Sequence, residues 1–313
     1  MSSLLPKRIK HAADFGRVAL LVGGESAERE VSLNGGASVA RSFERSGIAF
    51  EVFDGAPPLF AAITAGRIDR VFNLMHGPGG EDGAVQGALQ LFKVPVTGSD
   101  VLGSALSMDK VRAKWVFERQ QIPTSPFAVV DPADYDADAL FSQFEFPLFT
   151  KPTGLGSSIG VSKISSAGQL PEGIALAARY SREVIVEQGI AGKEYFTGIL
   201  DGHALPLIRI ETPRDFYDYA AKYTSGDTSY HCPCGLSAEL EAQLQQLSLR
   251  AFQVLGCSGW GRVDFILDAQ QRPWVLEVNT SPGMTDHSLV PQAAATIGIG
   301  FDELVWRVLE TSL

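Results

Sequence analysis

The chain has 313 residues, 45% of them hydrophobic and 20% charged, a balance that excludes a wholly disordered, collagen-like or coiled-coil chain and predicts two or three domains. Its 26 basic and 36 acidic residues leave a formal net charge of −10, which argues against nucleic acid as a partner, because neutralising phosphates needs surplus Lys and Arg. No uncharged apolar stretch approaches the roughly 20 residues that span a bilayer, and Lys7, Arg8 and Lys10 lead into polar sequence rather than a signal-peptide core, so a cytoplasmic protein with no membrane partner is expected. Cys232, Cys234 and Cys257 are odd in number, which fits a reducing compartment. The cluster His231-Cys232-Pro233-Cys234 offers half a metal site with no second Cys pair to complete it, and reads as a strand end with buried thiols.

The first hundred residues alternate strand-like and helix-like segments, which predicts a parallel βαβ-type sheet. Arg17–Val22 is an apolar strand ending in Gly23-Gly24, and Ser26 is positioned to cap a helix starting near Ala27. Phe50–Asp54, Val71–Met75 and Val94–Thr97 read as further strands, with helices around Ser32–Arg45 and over Ala84–Phe92. Ligands of such sheets sit at the carboxyl ends of the strands, where Gly23–Glu28 and His76–Asp82 would both lie. After Met108 a charged helix, Asp109–Gln120, leads to extended runs at Phe127–Val130 and Phe146–Lys151, which puts a domain boundary near residue 105. Thr153–Gly160 reads as a mobile Gly/Ser loop closing a hairpin. Strands over Val184–Glu187, Tyr195–Leu200 and Ala204–Ile210, a polar and aromatic stretch at Asp215–Tyr230 and a helix over Ala238–Leu255 follow.

The segment Gly261–Asp268 followed by Trp274–Asn279 has the pattern of a β-hairpin. A turn symmetric about Gln270 and Gln271 sets Asp264 opposite Glu277 and Arg262 opposite Asn279, all on one face, with Val263, Phe265, Leu276 and Val278 on the core face. Two carboxylates so placed repel and call for a cation or a shared proton. Asp, Glu and the Asn carbonyl are hard oxygen ligands, and Mg²⁺ fills its remaining positions with water and substrate phosphates, so the face predicts a phosphate-bearing substrate. The plainer reading is a solvated polar strand face on which Arg262 pairs with Asp264. Against it stands the following Thr280–Met284 turn, whose glycine lets amides approach a ligand. Lys151, at a strand end before Gly154-Leu155-Gly156-Ser157-Ser158, adds a cation and bare amides suited to phosphate oxygens, although the order of a P-loop is absent.

Several segments in order resemble the D-alanine–D-alanine ligase family of the ATP-grasp superfamily: Gly23–Ser32, His76–Gly83, Ser107–Lys110, Gly156–Ser158, Phe216–Tyr223 and Glu277–Met284. Residues 1–14 lie outside the resemblance. It implies an α/β chain, α+β overall, with the ATP-grasp fold: an N-terminal parallel-sheet substrate domain at 1–105, a central subdomain at 106–190, and a C-terminal domain at 191–313 carrying the metal site and a lid. It implies that ATP phosphorylates the carboxylate of one D-alanine and that the amine of a second attacks the acyl phosphate, supplying the dipeptide for peptidoglycan. A homodimer is implied as well.

The same resemblance assigns roles. Lys110 and Lys151 hold the ATP phosphates, Glu187 meets the adenine amino group with Gln188 and Ile190 beside it, and Glu194 binds the ribose hydroxyls. Asp264, Glu277 and Asn279 hold two Mg²⁺, with Mn²⁺ as an alternative. Arg262 and the Gly283 N–H stabilise the oxyanion. Glu28 anchors the ammonium of the first D-alanine with His76 near its carboxylate, and Ser288 and Leu289 take the carboxylate of the second. Ser157 and Tyr223, with Glu28, hold closed a lid containing Lys222. The chain departs from relatives at Gln188, where some carry Lys, at Pro78, and in the uncharged Thr153-Gly154-Leu155. Two other readings are a ligase forming D-alanyl-D-lactate, against which Tyr223 argues, and a nucleotide sensor without turnover, against which the joint presence of Arg262, Asp264, Glu277, Asn279 and Lys222 argues.

Overall fold

The computed structural model describes residues 7–213 and 227–313. Its first sheet is parallel, order β2-β1-β3, from β1 Val18–Val22, β2 Phe50–Asp54 and β3 Arg70–Asn73, linked by α1 Arg29–Ser46 and α2 Ala56–Thr64. Every residue of β1 is buried, as suits a central parallel strand covered on both faces. Helix α1 buries Ser32, Gly36, Val39 and Phe43, a stripe at helical spacing. It stops at Gly47, whose φ of 68° lets its amide return to the last turn.

Two local expectations are corrected here. Val94–Thr97 is not a strand but a single parallel bridge, Val71 to Val96, because Pro95 has no N–H to donate to a ladder. Nor does Ser26 cap the first helix, which begins at Arg29 after Glu28. The Ser26 hydroxyl instead donates to the His76 carbonyl at 2.6 Å and accepts from Glu28 N–H, tying the two polar loops at the sheet's carboxyl rim together.

Helices α3 Ala84–Leu91, α4 Val101–Met108 and α5 Lys110–Arg119 follow. Helix α4 lies outside the elements expected from the sequence. Asp109 ends it and caps α5, accepting from Val111 and Arg112 N–H at 3.0 Å each. The second sheet is antiparallel, order β4-β7-β5-β6, from β4 Phe127–Val130, β5 Leu148–Pro152, β6 Ser162–Ile164 and β7 Val184–Gln188, with α6 Ala137–Gln143 and α7 Leu170–Ala177 beside it. The Gly/Ser loop joins β5 to β6 as expected. The third sheet, order β10-β9-β8-β11-β12, comprises β8 Gly192–Leu200, β9 His203–Glu211, β10 Ser229–His231, β11 Trp260–Asp268 and β12 Pro273–Asn279, with α8 Ala238–Val254 against it. Helices α9 Leu289–Thr296 and α10 Phe301–Glu310 close the chain. They return to the first sheet: Trp306 meets Phe15 edge-on at 4.9 Å, and one hydrophobic core runs from β1 and α1 into both helices. All three cysteines are free, with Cys234 and Cys257 buried.

The hairpin register begins as the sequence predicts, with Arg262 opposite Asn279 and Asp264 opposite Glu277. A bulge between Asp264 and Phe265 then shifts it, so that Phe265 faces Val275. The extra residue on β12 reverses the alternation beyond Glu277. Val275, fully buried, takes the core place expected of Leu276, and Leu276 turns with Glu277 toward a cavity. Val275→Ala should therefore cost about 2 kcal/mol in urea unfolding and Leu276→Ala markedly less. Equal losses would contradict the shifted alternation.

Candidate functional site

Two cavities meet where the three sheets converge. The larger, about 880 Å³, is bounded by the loop after β1, the loop after β3, the Gly/Ser loop, the polar ends of β11 and β12, and the start of α9. The smaller, about 110 Å³, lies between the second and third sheets. Lys110 and Glu277 line both. Their ammonium and carboxylate stand 2.9 Å apart, and Lys110 also donates to the Leu155 carbonyl of the Gly/Ser loop at 2.9 Å. Burial disfavours the Lys110 ammonium, but the Glu277 carboxylate outweighs it and raises the lysine above its ordinary value.

Every site residue expected from the sequence lines one of these cavities, apart from Lys222 and Tyr223, which lie outside the described residues. In the larger cavity are Glu28, His76, Ser157, Arg262 and Asn279, with Gly283, Ser288 and Leu289 along one wall. In the smaller are Lys151, Glu187, Gln188, Ile190, Glu194 and Asp264. The carboxylate pair is therefore not buried away from the glycine-rich loop, since Leu155 and Ser158 share the smaller cavity with it.

Each carboxylate of the hairpin already has a cation within the chain. Arg262 grips Asp264 through two bonds of 2.6 and 2.7 Å, and Asn279 Nδ2 donates to the same carboxylate at 3.2 Å. Glu277 has Lys110. The plainer sequence reading, Arg262 pairing Asp264, thus describes part of the face. It does not describe a solvated one, because Asp264 is only 4% exposed. Among the described residues no group of three or more His, Cys, Asp or Glu could enclose a metal. Two carboxylates and an amide oxygen still suit Mg²⁺ or Mn²⁺ when substrate phosphates and water complete the shell.

In the larger cavity Glu28 is buried and accepts from the Ser157 hydroxyl. Gly156 lets the loop come this near, for a Cβ there would stand 2.9 Å from the Glu28 carboxylate. Ser157 and Ser158 both have left-handed backbones, with φ of 52° and 58°, which turns the loop sharply onto Glu28. His76 Nδ1 donates to the Leu74 carbonyl at 2.7 Å. Burial lowers its pKa, and the buried Nε2 has no partner among the described residues. A neutral ring bonded in this way offers Nε2 as an acceptor. The first N–H groups of α9 have no preceding turn to bond, and Ser288, Leu289 and Val290 face this cavity, so the wall suits a carboxylate.

In the smaller cavity Glu187 is buried between Lys114 and Lys151. Burial alone would raise its pKa, but the two ammoniums bring it down to about 2. The Gln188 side chain exchanges bonds of 2.7 and 2.6 Å with the Glu145 backbone. Its amide thus secures a neighbouring loop.

Two residues were missed. Lys114 follows Lys110 by one helical turn, and that spacing could have found it. Glu81 sits in the glycine-rich loop after β3 and accepts from Gly77 N–H at 2.7 Å and from the Ser281 backbone, joining two walls of the larger cavity. Burial first, then the nearby Glu28 carboxylate, pushes its pKa to about 8. Between about pH 4.5 and 8 the folded chain keeps this proton and the unfolded chain has lost it, so stability falls as pH rises through that window. Glu81→Gln, neutral throughout, should remove this slope from urea unfolding measured at pH 5 to 8. An identical slope would contradict the assignment.

The chain is similar to known proteins over nearly its whole length. Family models described as the N-terminus and C-terminus of D-ala D-ala ligase match residues 56–99 and 116–310. It is 51% identical over 308 residues to a D-alanine–D-alanine ligase of Methylococcus capsulatus, covering 98% of this chain and 99% of that one. The crystal structure of D-alanine–D-alanine ligase from Bacillus anthracis superposes with a TM-score of 0.85 at 33% identity, over 95% of this chain and 97% of that one. The same enzyme complexed with ATP gives 0.83 at 30% identity, with the same coverage.

Proposed function

The chain belongs to the D-alanine–D-alanine ligase family, and from that premise we propose how its residues carry out the family reaction. It is an ATP-dependent ligase of the ATP-grasp fold that joins two D-alanines into the dipeptide used in cell-wall synthesis. We read its domains as 1–105, 106–190 and 191–313, its assembly as a homodimer and its location as the cytoplasm.

The observation that carries the mechanism is the shared wall. A carboxylate is a poor electrophile until its oxygen is made a leaving group, so the γ-phosphoryl group must reach the first D-alanine without meeting water. Nucleotide in the smaller cavity and amino acid in the larger would face each other across Lys110 and Glu277. Lys110 and Lys151 would hold the phosphates, and Glu187, with the main chain at Gln188 and Ile190, the adenine. Glu194 would hold the ribose. Glu28, steadied by Ser157, would anchor the ammonium of the first D-alanine. His76, with an acceptor nitrogen at Nε2, suits a proton of that ammonium better than the carboxylate expected for it.

Arg262, which lines the larger cavity while gripping Asp264, would stabilise the oxyanion formed when the second amine attacks. The Gly283 N–H would be the second donor. Ser288 and Leu289, at the start of α9, would take the second carboxylate. Asp264, Glu277 and Asn279 would hold Mg²⁺, two ions in this reading, or Mn²⁺, which when bound neutralises the transferring phosphate. Lys222 and Tyr223 complete the reading as lid residues.

ADP release should require D-alanine and should not be supported by L-alanine or by D-lactate as the sole substrate. Turnover indifferent to D-alanine would refute the ligase reading. Glu277→Gln keeps the shape and loses the charge, so kcat should fall by roughly 100-fold or more while circular dichroism still shows the native fold. Unchanged kcat would remove the metal face from the mechanism.

A further inference from the structure

Lys114 is only 2% exposed and has no task in the mechanism above; burial lowers its pKa, and the Glu187 carboxylate opposes that by favouring the ammonium. Its ammonium donates to Thr124 Oγ1 at 2.7 Å, to the Ser125 carbonyl at 3.0 Å and to Ser125 Oγ at 2.9 Å, and lies 3.1 Å from Glu187 Oε2. An ammonium has three protons, so four surrounding acceptors fix its position. The other Glu187 oxygen is held by Lys151. The two lysines differ in freedom. The Lys114 side chain is 2% exposed, whereas that of Lys151 is 18% exposed and borders the smaller cavity.

A buried carboxylate stripped of its only counter-ion is strongly destabilising. With Lys151 as sole partner, Glu187 would hold that lysine away from any phosphate. With Lys114 behind it, Glu187 stays paired when Lys151 leaves. We propose that Lys114 is a positioning residue, the resident counter-ion of Glu187, which frees Lys151 to move from Glu187 to the phosphates as nucleotide binds. The proposal rests on the reading that Lys151 serves the phosphates. The seat of Lys114 is also tied to the hairpin, because Thr124 Oγ1 donates to the Val275 carbonyl at 2.8 Å, two residues before Glu277.

The test is a double-mutant cycle on the full chain, read by calorimetric titration with ADP in Mg²⁺ buffer. Lys114→Met should weaken ADP about tenfold or more when Glu187 is present. In a Glu187→Gln background, where no buried charge retains Lys151, the same change should weaken ADP less than about twofold. Equal weakening in both backgrounds would mean that Lys114 acts through packing alone and would overturn the proposal. If Lys114→Met alone does not fold, the double variant is compared with Glu187→Gln: affinity within about twofold supports the proposal, and a tenfold loss overturns it. Wild-type protein that binds no ADP would instead refute the parent reading.

Discussion

The carboxylates of the site need counter-ions, and one helix supplies two of them. Lys110 and Lys114 lie a single turn apart on α5, the first holding Glu277 and the second Glu187. For the fully buried Lys114–Glu187 pair, removing one partner strands the other's charge, at a cost of about 3–5 kcal/mol. Helix α5 is therefore more than a connector between sheets. It sets where the acidic groups of the second and third sheets stand relative to each other, and Asp109 anchors its start by capping the amides of Val111 and Arg112.

The same helix places the boundary between the two cavities. Lys110 reaches Glu277 on the hairpin and the Leu155 carbonyl on the Gly/Ser loop, so the wall between the two cavities is made by three elements at once. The hairpin bulge contributes here. By reversing the alternation it puts Val275 in the core and leaves Leu276 beside Glu277 and Asp264 on the cavity side. Across the larger cavity, Gly156 and the Glu28–Ser157 bond bring the loop against the first sheet. Phosphoryl transfer relies on positioning and charge neutralisation more than on covalent work, and each of these features is a positioning feature.

Much of this was legible in the sequence, for identifiable reasons. The alternation of Arg262, Asp264, Glu277 and Asn279 is governed by a period of two, so the hairpin register could be written down before the structure. The apolar run at Arg17–Val22 marked a strand of a parallel sheet, and the structure makes it the central one. The bulge was not legible, because an extra residue leaves no compositional mark when both Val275 and Leu276 are apolar. Glu81 and Lys114 were missed because their importance comes from what surrounds them: the Ser281 backbone and Glu28 in one case, Glu187 in the other, all distant along the chain. The packing of Trp306 onto Phe15 is likewise a tertiary fact, with no local signal at either residue.

The central claim is that the γ-phosphoryl group passes to a carboxylate oxygen of the first D-alanine. It is tested most directly with D-alanine carrying ¹⁸O in its carboxyl group. Attack of that oxygen on the γ-phosphorus and later departure of phosphate from the acyl carbon would carry one labelled oxygen into the inorganic phosphate released. The account predicts one ¹⁸O per phosphate for each dipeptide formed; phosphate free of label would contradict it.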